Sequence, residues 1–398
     1  MKRSGDEDPF RLFASPEKLN DCRGTLLTWF AINGRNELPW KLKDDGTPPQ
    51  SGEVLSPYSI WIAEVMLQQT QLKVVLPYWE KWMQAFPTLI DLANASESEI
   101  LLIWQGLGYY SRARRIFKAA KQLLKLIGDH DPLDPIVWPR DLETWMSLPG
   151  IGRTTAGSII SSAFDAPGAL LDGNVKRVLG RLVANPKTEE DSISQLWIFS
   201  EQLLDLENPR QFNQALMDLG AMVCKPQNPI CSICPWKGAC VVYSSNQVKD
   251  FPVKRAGKHL PFQVIGVGIV FNKDGNVLID QRLDRGLLGG MWEFPGGKQE
   301  PNEDIKETII RELQEELAIE VEVGELLISL QHSYSQKKLC FVVHLCKWIS
   351  GDPKPLESQQ FRWVKPSDLR NYPFPAANSK MISALNRFLQ KDKLIGTS

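Results

Sequence analysis

The chain has no apolar run approaching the ~18 residues that a membrane span requires. Its first ten residues, MKRSGDEDPF, carry acids where a secretory leader would be apolar, so no signal peptide and a cytoplasmic location are expected. Excess charge is missing as well. With 46 Lys and Arg against 47 Asp and Glu, the net charge is −1, so a nucleic-acid partner would have to be held by a local basic patch. Cysteine is scarce: seven in 398 residues are too few for a disulfide scaffold. Four of them nevertheless fall between positions 224 and 240, which in a reducing compartment marks a metal centre.

What is present is enough for more than one hydrophobic core. Apolar residues recur at helical spacing in LLIW (101–104), IFKAAKQLLKLI (116–127) and TTAGSIISSAF (154–164), so residues from about 16 to 240 read as all-helical. Residues 41–57 are polar and rich in Pro and Gly, and read as a surface insertion. From 262 the texture changes to β runs (VIGVGIVF, NVLIDQR, KLCFVVHLCKW, FRWV) around one long helix at about 303–317, an α+β pattern. The expected division is an N-terminal extension (1–18), a helical domain (19–223), a cysteine loop (224–240), a linker (241–261), an α+β domain (262–390) and a tail (391–398).

Cys224-x6-Cys231-x2-Cys234-x5-Cys240 supplies four soft thiolates, which suit tetrahedral zinc or an iron–sulfur cube. Spacing alone leaves both open. In LPGIGRTT (148–155), Gly150 and Gly152 form a tight hairpin between a helix ending near Ser147 and one starting near Arg153. Bare backbone and a helix N-terminus suit such a turn to phosphate contact. Some twenty residues on, LLDGNVKRV places Asp172 at the mouth of the next helix, with Asn174 and Lys176 beside it. Asp172 suits an N-cap, and also suits stabilising the oxocarbenium charge that develops when an N-glycosidic bond breaks. Glu64 interrupts the otherwise apolar helical stretch WIAEVML (61–67). Burial would keep such an acid protonated, ready to donate to a leaving base. Gln68, Gln69, Thr70 and Gln71 offer amides and a hydroxyl to base edges, and Tyr109 and Tyr110 stand beside Arg112, Arg114 and Arg115 as an aromatic wedge beside cations.

These segments, with FNQALMDLGAMVC (212–224), resemble the helix-hairpin-helix glycosylases, and within them the MutY-type adenine glycosylases, over about residues 20–240. The resemblance implies a 4Fe–4S cluster on the four cysteines, Glu64 as the acid for a flipped adenine, and Asp172 as the stabiliser of the sugar cation. It further implies Leu67, Gln69 and Tyr109 at the orphaned 8-oxoguanine, and Trp40 and Gln214 lining the adenine pocket. Endonuclease III-type lyases carry a lysine where this chain has Thr154. Base removal without efficient strand cleavage follows, with Lys176 as a side-reaction trap. Extrusion of the base is required in any case, because its glycosidic bond is inaccessible within the stack.

The second half carries Gly297-x5-Glu303-x7-Arg311-Glu312-Leu313-x-Glu315-Glu316 after WEFPGGK. Glu312, Glu315 and Glu316 share one helix face, and hard carboxylate oxygens select Mg2+ or Mn2+. The region resembles the MutT-like Nudix fold, with Ala318 where that family has glycine. The resemblance implies Gly297 and the three glutamates as Mg2+ ligands, Glu357 assisting the attacking water, and Ser335 and Asn378 reading 8-oxoguanine. A histidine expected after Ser335 is replaced by Gln336.

The expected protein is a monomeric, monofunctional adenine glycosylase acting on duplex DNA with A:8-oxoguanine or A:G mismatches, in the nucleoid of a bacterial-type cytoplasm. Its C-terminal domain would recognise 8-oxoguanine and retain some 8-oxo-dGTP pyrophosphohydrolase activity. Two alternatives weigh less. A nucleotide-pool hydrolase with a DNA-binding helical half has no use for the Glu64/Asp172 pair, and Thr154 disfavours a lyase for oxidised pyrimidines.

Overall fold

A computed structural model describes residues 10, 13, 15–185, 190–251, 260–284, 286, 288–334 and 337–395. The chain forms two compact units, one from 1–94 with 115–256 and one from 95–114 with 257–398. Among the described residues no helix is long and apolar enough to cross a membrane.

The first unit is helical. It contains α1 (Pro16–Asn33), α2 (Pro57–Leu67), α3 (Leu72–Ala85) and α4 (Leu89–Asn94). Between them and the rest of the unit the chain passes through α5 (Glu97–Trp104), which groups with the second unit. The helical unit resumes in α6 (Ser111–Ile127), whose first residues also group with the second unit, and in α7 (Leu142–Ser147), α8 (Arg153–Phe164) and α9 (Gly173–Leu182). It ends with α10 (Glu190–Leu203), α11 (Pro209–Asp218) and α12 (Val241–Ser244). Helix starts follow local chemistry. Pro57 opens α2 behind Ser56, whose side chain accepts from the Ser59 N–H, and Asp141 caps α7 by accepting from the Thr144 N–H at 2.8 Å. A core of Leu26, Trp29, Val175, Leu179, Phe199, Phe212 and Leu216 joins α1, α9, α10 and α11, while α2 packs on α8.

The 41–57 stretch lies at the surface over most of its length, with 44–48 and 50–52 exposed, but it is anchored to the core at its ends. Lys41 and Leu55 are buried, and the Leu55 N–H donates to the Ala163 carbonyl at 2.8 Å. Arg210, buried at the start of α11, donates to the carbonyls of Gln50, Glu53, Ser162 and Ala163. Asp165 accepts from the N–H groups of both Gly52 and Arg210. Exposure accounts for its polarity, while buried Arg210 and half-buried Asp165 hold its backbone from distant positions, an anchorage that local composition does not reveal.

The second unit is a seven-stranded mixed sheet made of β1 (Phe262–Phe271), β2 (Val277–Arg282), β3 (Trp292–Glu293), β4 (Gly296–Lys298), β5 (Glu320–Ser333), β6 (Lys338–Ser350) and β7 (Ser358–Val364). β1 runs parallel to β6 and antiparallel to β2 and β4, with strand order β3-β2-β1-β6-β5. The helix α13 (Ile305–Leu317) and the helix α14 (Ala376–Ile395) serve opposite faces. Alternation along β2 assigns its residues between them: Leu278 packs with Ile309, Leu313 and Leu317 of α13, whereas Val277 and Ile279 pack with Met381 and Leu385 of α14. Asp304 and Glu307 form a reciprocal capping box at the start of α13.

Candidate active sites

In the helical unit, α2 carries Glu64 into a cavity lined by Arg35, Trp40, Lys41, Leu67, Gln214 and Asp218, among others. The sequence-predicted Trp40, Leu67 and Gln214 therefore meet Glu64. Burial pushes the Glu64 carboxyl up to about 7, the charge of Asp172 adds to the rise, and the neighbouring Ser158 hydroxyl and Lys41 ammonium oppose it. A carboxyl poised there is a proton donor at neutral pH.

Lys41, Arg35 and Asp218 are site residues that the sequence reading missed. The Asp218 carboxylate accepts from the Arg35 backbone N–H and from its Nε, both at 2.9 Å. The Lys41 Nζ lies 3.7 Å from Asp218 Oδ2, is buried and makes no hydrogen bond. Burial lowers the lysine's pKa, with Asp218 opposing. Lys41 adjoins the predicted Trp40, and an aromatic–cation pair beside an expected base pocket was the available signal.

Asp172 is the N-cap of α9, its Oδ1 accepting from the Val175 N–H at 2.6 Å. It is not among the residues lining the Glu64 cavity, yet its charge acts on Glu64. Burial raises its own pKa, opposed by the N–H groups of Val175 and Asn174 and by the charges of Arg177 and Lys176. Asn174 accepts from Arg177 at 2.8 Å, and the same guanidinium reaches the Cys224 carbonyl at 2.7 Å. Lys176 is half-buried.

The hairpin falls where the sequence places it, between α7 and α8. Gly150 has φ +85°, and a Cβ there would lie 2.8 Å from the Arg115 Cβ, so both backbone and space demand glycine. Gly152 caps α8, and Thr154 is half-buried in its first turn. Gln69 and Tyr109, the expected wedge residues, are both exposed and both left-handed, with φ +57° and +50°. Such a backbone is uncommon outside glycine and clusters at functional loops. Thr70 is half-buried after α2.

Cys224, Cys231, Cys234 and Cys240 line one cavity with Arg181 and Lys237. Burial raises Cys231, Cys234 and Cys240, the second to about 12, and charge on Cys224 would raise each further. Four thiols lining one cavity, with the Arg181 Nη1 3.3 Å from Cys224 Sγ, fit a 4Fe–4S cluster as a donor set, although among the described residues no three of them ring a single point as placed.

In the second unit, Glu312 of α13 lies against Gly297, where a Cβ would stand 2.2 Å from its carboxyl. Glu316 accepts from the Gly296 N–H at 3.2 Å and is pushed by burial up to about 8, with Glu293, Glu312 and Glu357 adding their charge. Glu315 is exposed, and Arg311 holds it and Glu312 at 3.0 Å each. Glu357 is exposed, and its charge acts on Glu312 and Glu316. This oxygen-rich set around a glycine cradle fits a hard divalent cation, although among the described residues no three His, Cys, Asp or Glu side chains ring a single point as placed. Asn378 is buried in the first turn of α14. Ser335, with Gln336, lies outside the described residues.

Residues 62–199 match the HhH-GPD superfamily of base excision DNA repair proteins, and 266–384 match the NUDIX domain. Adenine DNA glycosylase from Mus musculus is 35% identical over 390 residues, covering 84% of this chain and 72% of that protein. The protein of the same name from Buchnera aphidicola subsp. Baizongia pistaciae is 35% identical over 271 residues, covering 68% and 72%. Among solved structures, a thermostable thymine-DNA glycosylase aligns with TM-score 0.47 and 25% identity over 57% of this chain and 98% of that one. The chain is a DNA N-glycosylase that belongs to the adenine DNA glycosylase family, with a Nudix domain following the helical one.

Proposed function

We propose that this enzyme removes adenine paired with 8-oxoguanine or guanine in duplex DNA, hydrolysing the N-glycosidic bond without cutting the strand. The carrying observation is the pair formed by Glu64, protonated near neutral pH, and Asp172, whose charge acts on it. Extrusion brings the adenine to the cavity wall of Trp40, Leu67 and Gln214. Glu64 donates its proton to a ring nitrogen of the base, so the bond breaks towards a neutral leaving group. Asp172 holds negative charge opposite the sugar cation, and its two N–H donors and adjacent cations oppose the burial that raises its pKa. Water adds to the anomeric carbon, and Glu64 regains a proton from it.

Thr154 has no amine, so no Schiff base forms at the hairpin, and Lys176 accounts for any minor trapping. Gly150 and Gly152 offer backbone to a phosphate, and Gln69, Thr70 and Tyr109 fill and read the vacated gap. A 4Fe–4S cluster, when bound by Cys224, Cys231, Cys234 and Cys240, supplies a fixed knot that shapes their loop against phosphate. The protein works as a monomer in a cytoplasmic nucleoid.

The Nudix domain recognises 8-oxoguanine through Asn378 and Ser335, and also hydrolyses 8-oxo-dGTP to the monophosphate and pyrophosphate. Mg2+, when bound by Gly297, Glu312, Glu315 and Glu316, supplies charge neutralisation on the phosphates. Glu357 orients and deprotonates the attacking water.

The test is a duplex containing adenine opposite 8-oxoguanine, analysed with and without alkali. Strand breaks that appear only after alkali are expected. Breaks without alkali would remove the monofunctional assignment, and intact adenine would remove the whole reading. Pyrophosphate release from 8-oxo-dGTP with Mg2+ tests the second activity.

A further inference from the structure

We propose that Asp280 is a further ligand of the divalent-cation site, adding from the sheet a carboxylate to the set supplied by the box helix. The inference rests on the Nudix reading above and extends it to a residue outside the box.

Asp280 lies at the end of the apolar run of β2, two residues beyond Leu278 and therefore on the same face, the one covered by α13. Across the strand pair its register partner is Glu293 of β3, so two carboxylates face each other directly on that side. The charges of Glu293 and Glu316 both act on Asp280. Asp280 is 4% exposed, and its Oδ1 is buried without a hydrogen-bond partner.

Only one cation answers this group from its own strands. The Arg282 Nη1 donates to both oxygens of Glu293, at 2.5 and 2.7 Å, and so neutralises that residue. Arg311 is committed elsewhere, to Glu303, Glu312 and Glu315. Burial disfavours the ionised form of all three acids, and once ionised the three carboxylates against one guanidinium carry two uncompensated negative charges, the charge of one divalent cation. A buried acid with an unpartnered oxygen costs stability unless something ligates it, and hydrophobic strand residues were the alternative at this position. No three of these side chains ring one point as placed, so ligation asks for rotation of the Glu316 and Asp280 side chains towards each other.

The experiment uses the full-length holoenzyme, with Mn2+ as probe and the electron paramagnetic resonance of free Mn2+ as readout. For Asp280→Asn the Mn2+ dissociation constant rises at least about tenfold, as for loss of a metal-supporting group. Melting in EDTA moves the other way. Removing one of the repelling carboxylates raises Tm without metal, and the Mn2+-induced rise in Tm shrinks. Should Asp280→Asn misfold, Asp280→Val, a strand-compatible residue, repeats the measurement. Unchanged Mn2+ affinity in the Asp280 variant, with affinity lost in Glu316→Gln, overturns the proposal and leaves the Nudix reading standing. Wild-type protein that takes up no Mn2+ overturns both.

Discussion

In the helical unit, Glu64 and Asp172 reach their site from different elements, one mid-helix and one at a helix mouth. In the Nudix unit, Glu312, Glu315 and Glu316 stand on one helix, and the charge of Glu316 acts on Asp280, whose register partner across the strands is Glu293. The first pair is separated by environment. Burial pushes Glu64 up to about 7 with only the Ser158 hydroxyl and the charge of Lys41 opposing, while the burial that also raises Asp172 is opposed by two backbone N–H groups and by Arg177 and Lys176. The second group is crowded and braced by Arg311 and Arg282. On the proposed reading, burial makes a proton donor of the one acid, and crowding beyond what their arginines can answer makes the other acids a cradle for a metal ion.

Chelation breaks this comparison most sharply. EDTA is expected to abolish pyrophosphate release from 8-oxo-dGTP and to leave adenine excision unchanged, which assays of both activities on one preparation check. Next is Glu64→Gln, expected to slow single-turnover adenine release by about 10²–10⁴-fold, the usual worth of a general acid, with nucleotide hydrolysis untouched. Because the protonated form of Glu64 is the active one, kcat/KM for excision should fall as pH rises through about 7. Lys41→Met removes a charge that lowers the Glu64 pKa, so this alkaline limb should move to higher pH. A limb that stays in place would deny the lysine any part in setting the acid. The smallest effect concerns Ala318, which ends α13 at φ +55°. Ala318→Gly relieves left-handed strain but adds chain entropy, a net gain of about 0.5 kcal/mol visible as a small rise in Tm.

Much of this was legible because the signals were local. The double-glycine hairpin, the start of α8 at Arg153, the box helix, and strands β1, β2, β6 and β7 lie where spacing and turn residues put them. β3 and β4 are two and three residues long, too short for any periodicity. β5 escaped notice because two register shifts around Val323–Ile328 break its alternation. α14, which begins directly after Pro375, is a second long helix where the sequence reading gave only the one at about 303–317. The pocket was half legible. Glu64, Trp40 and Gln214 carry their own chemistry, whereas Lys41 and Asp218 acquire theirs only by meeting across the fold. Asp280 is a single acid at a strand end, unremarkable until its register partner is known.

Arg210 has a reach beyond its own surroundings. By gripping the carbonyls of Gln50 and Glu53 it moors the far side of a stretch whose near side is Trp40 and Lys41. The wall proposed to meet the base is thus stretched between two anchorages, like a guy rope. Adding or deleting residues between 42 and 49 would slacken or tighten that wall, and so retune selectivity for the base while every side chain that touches it stays the same.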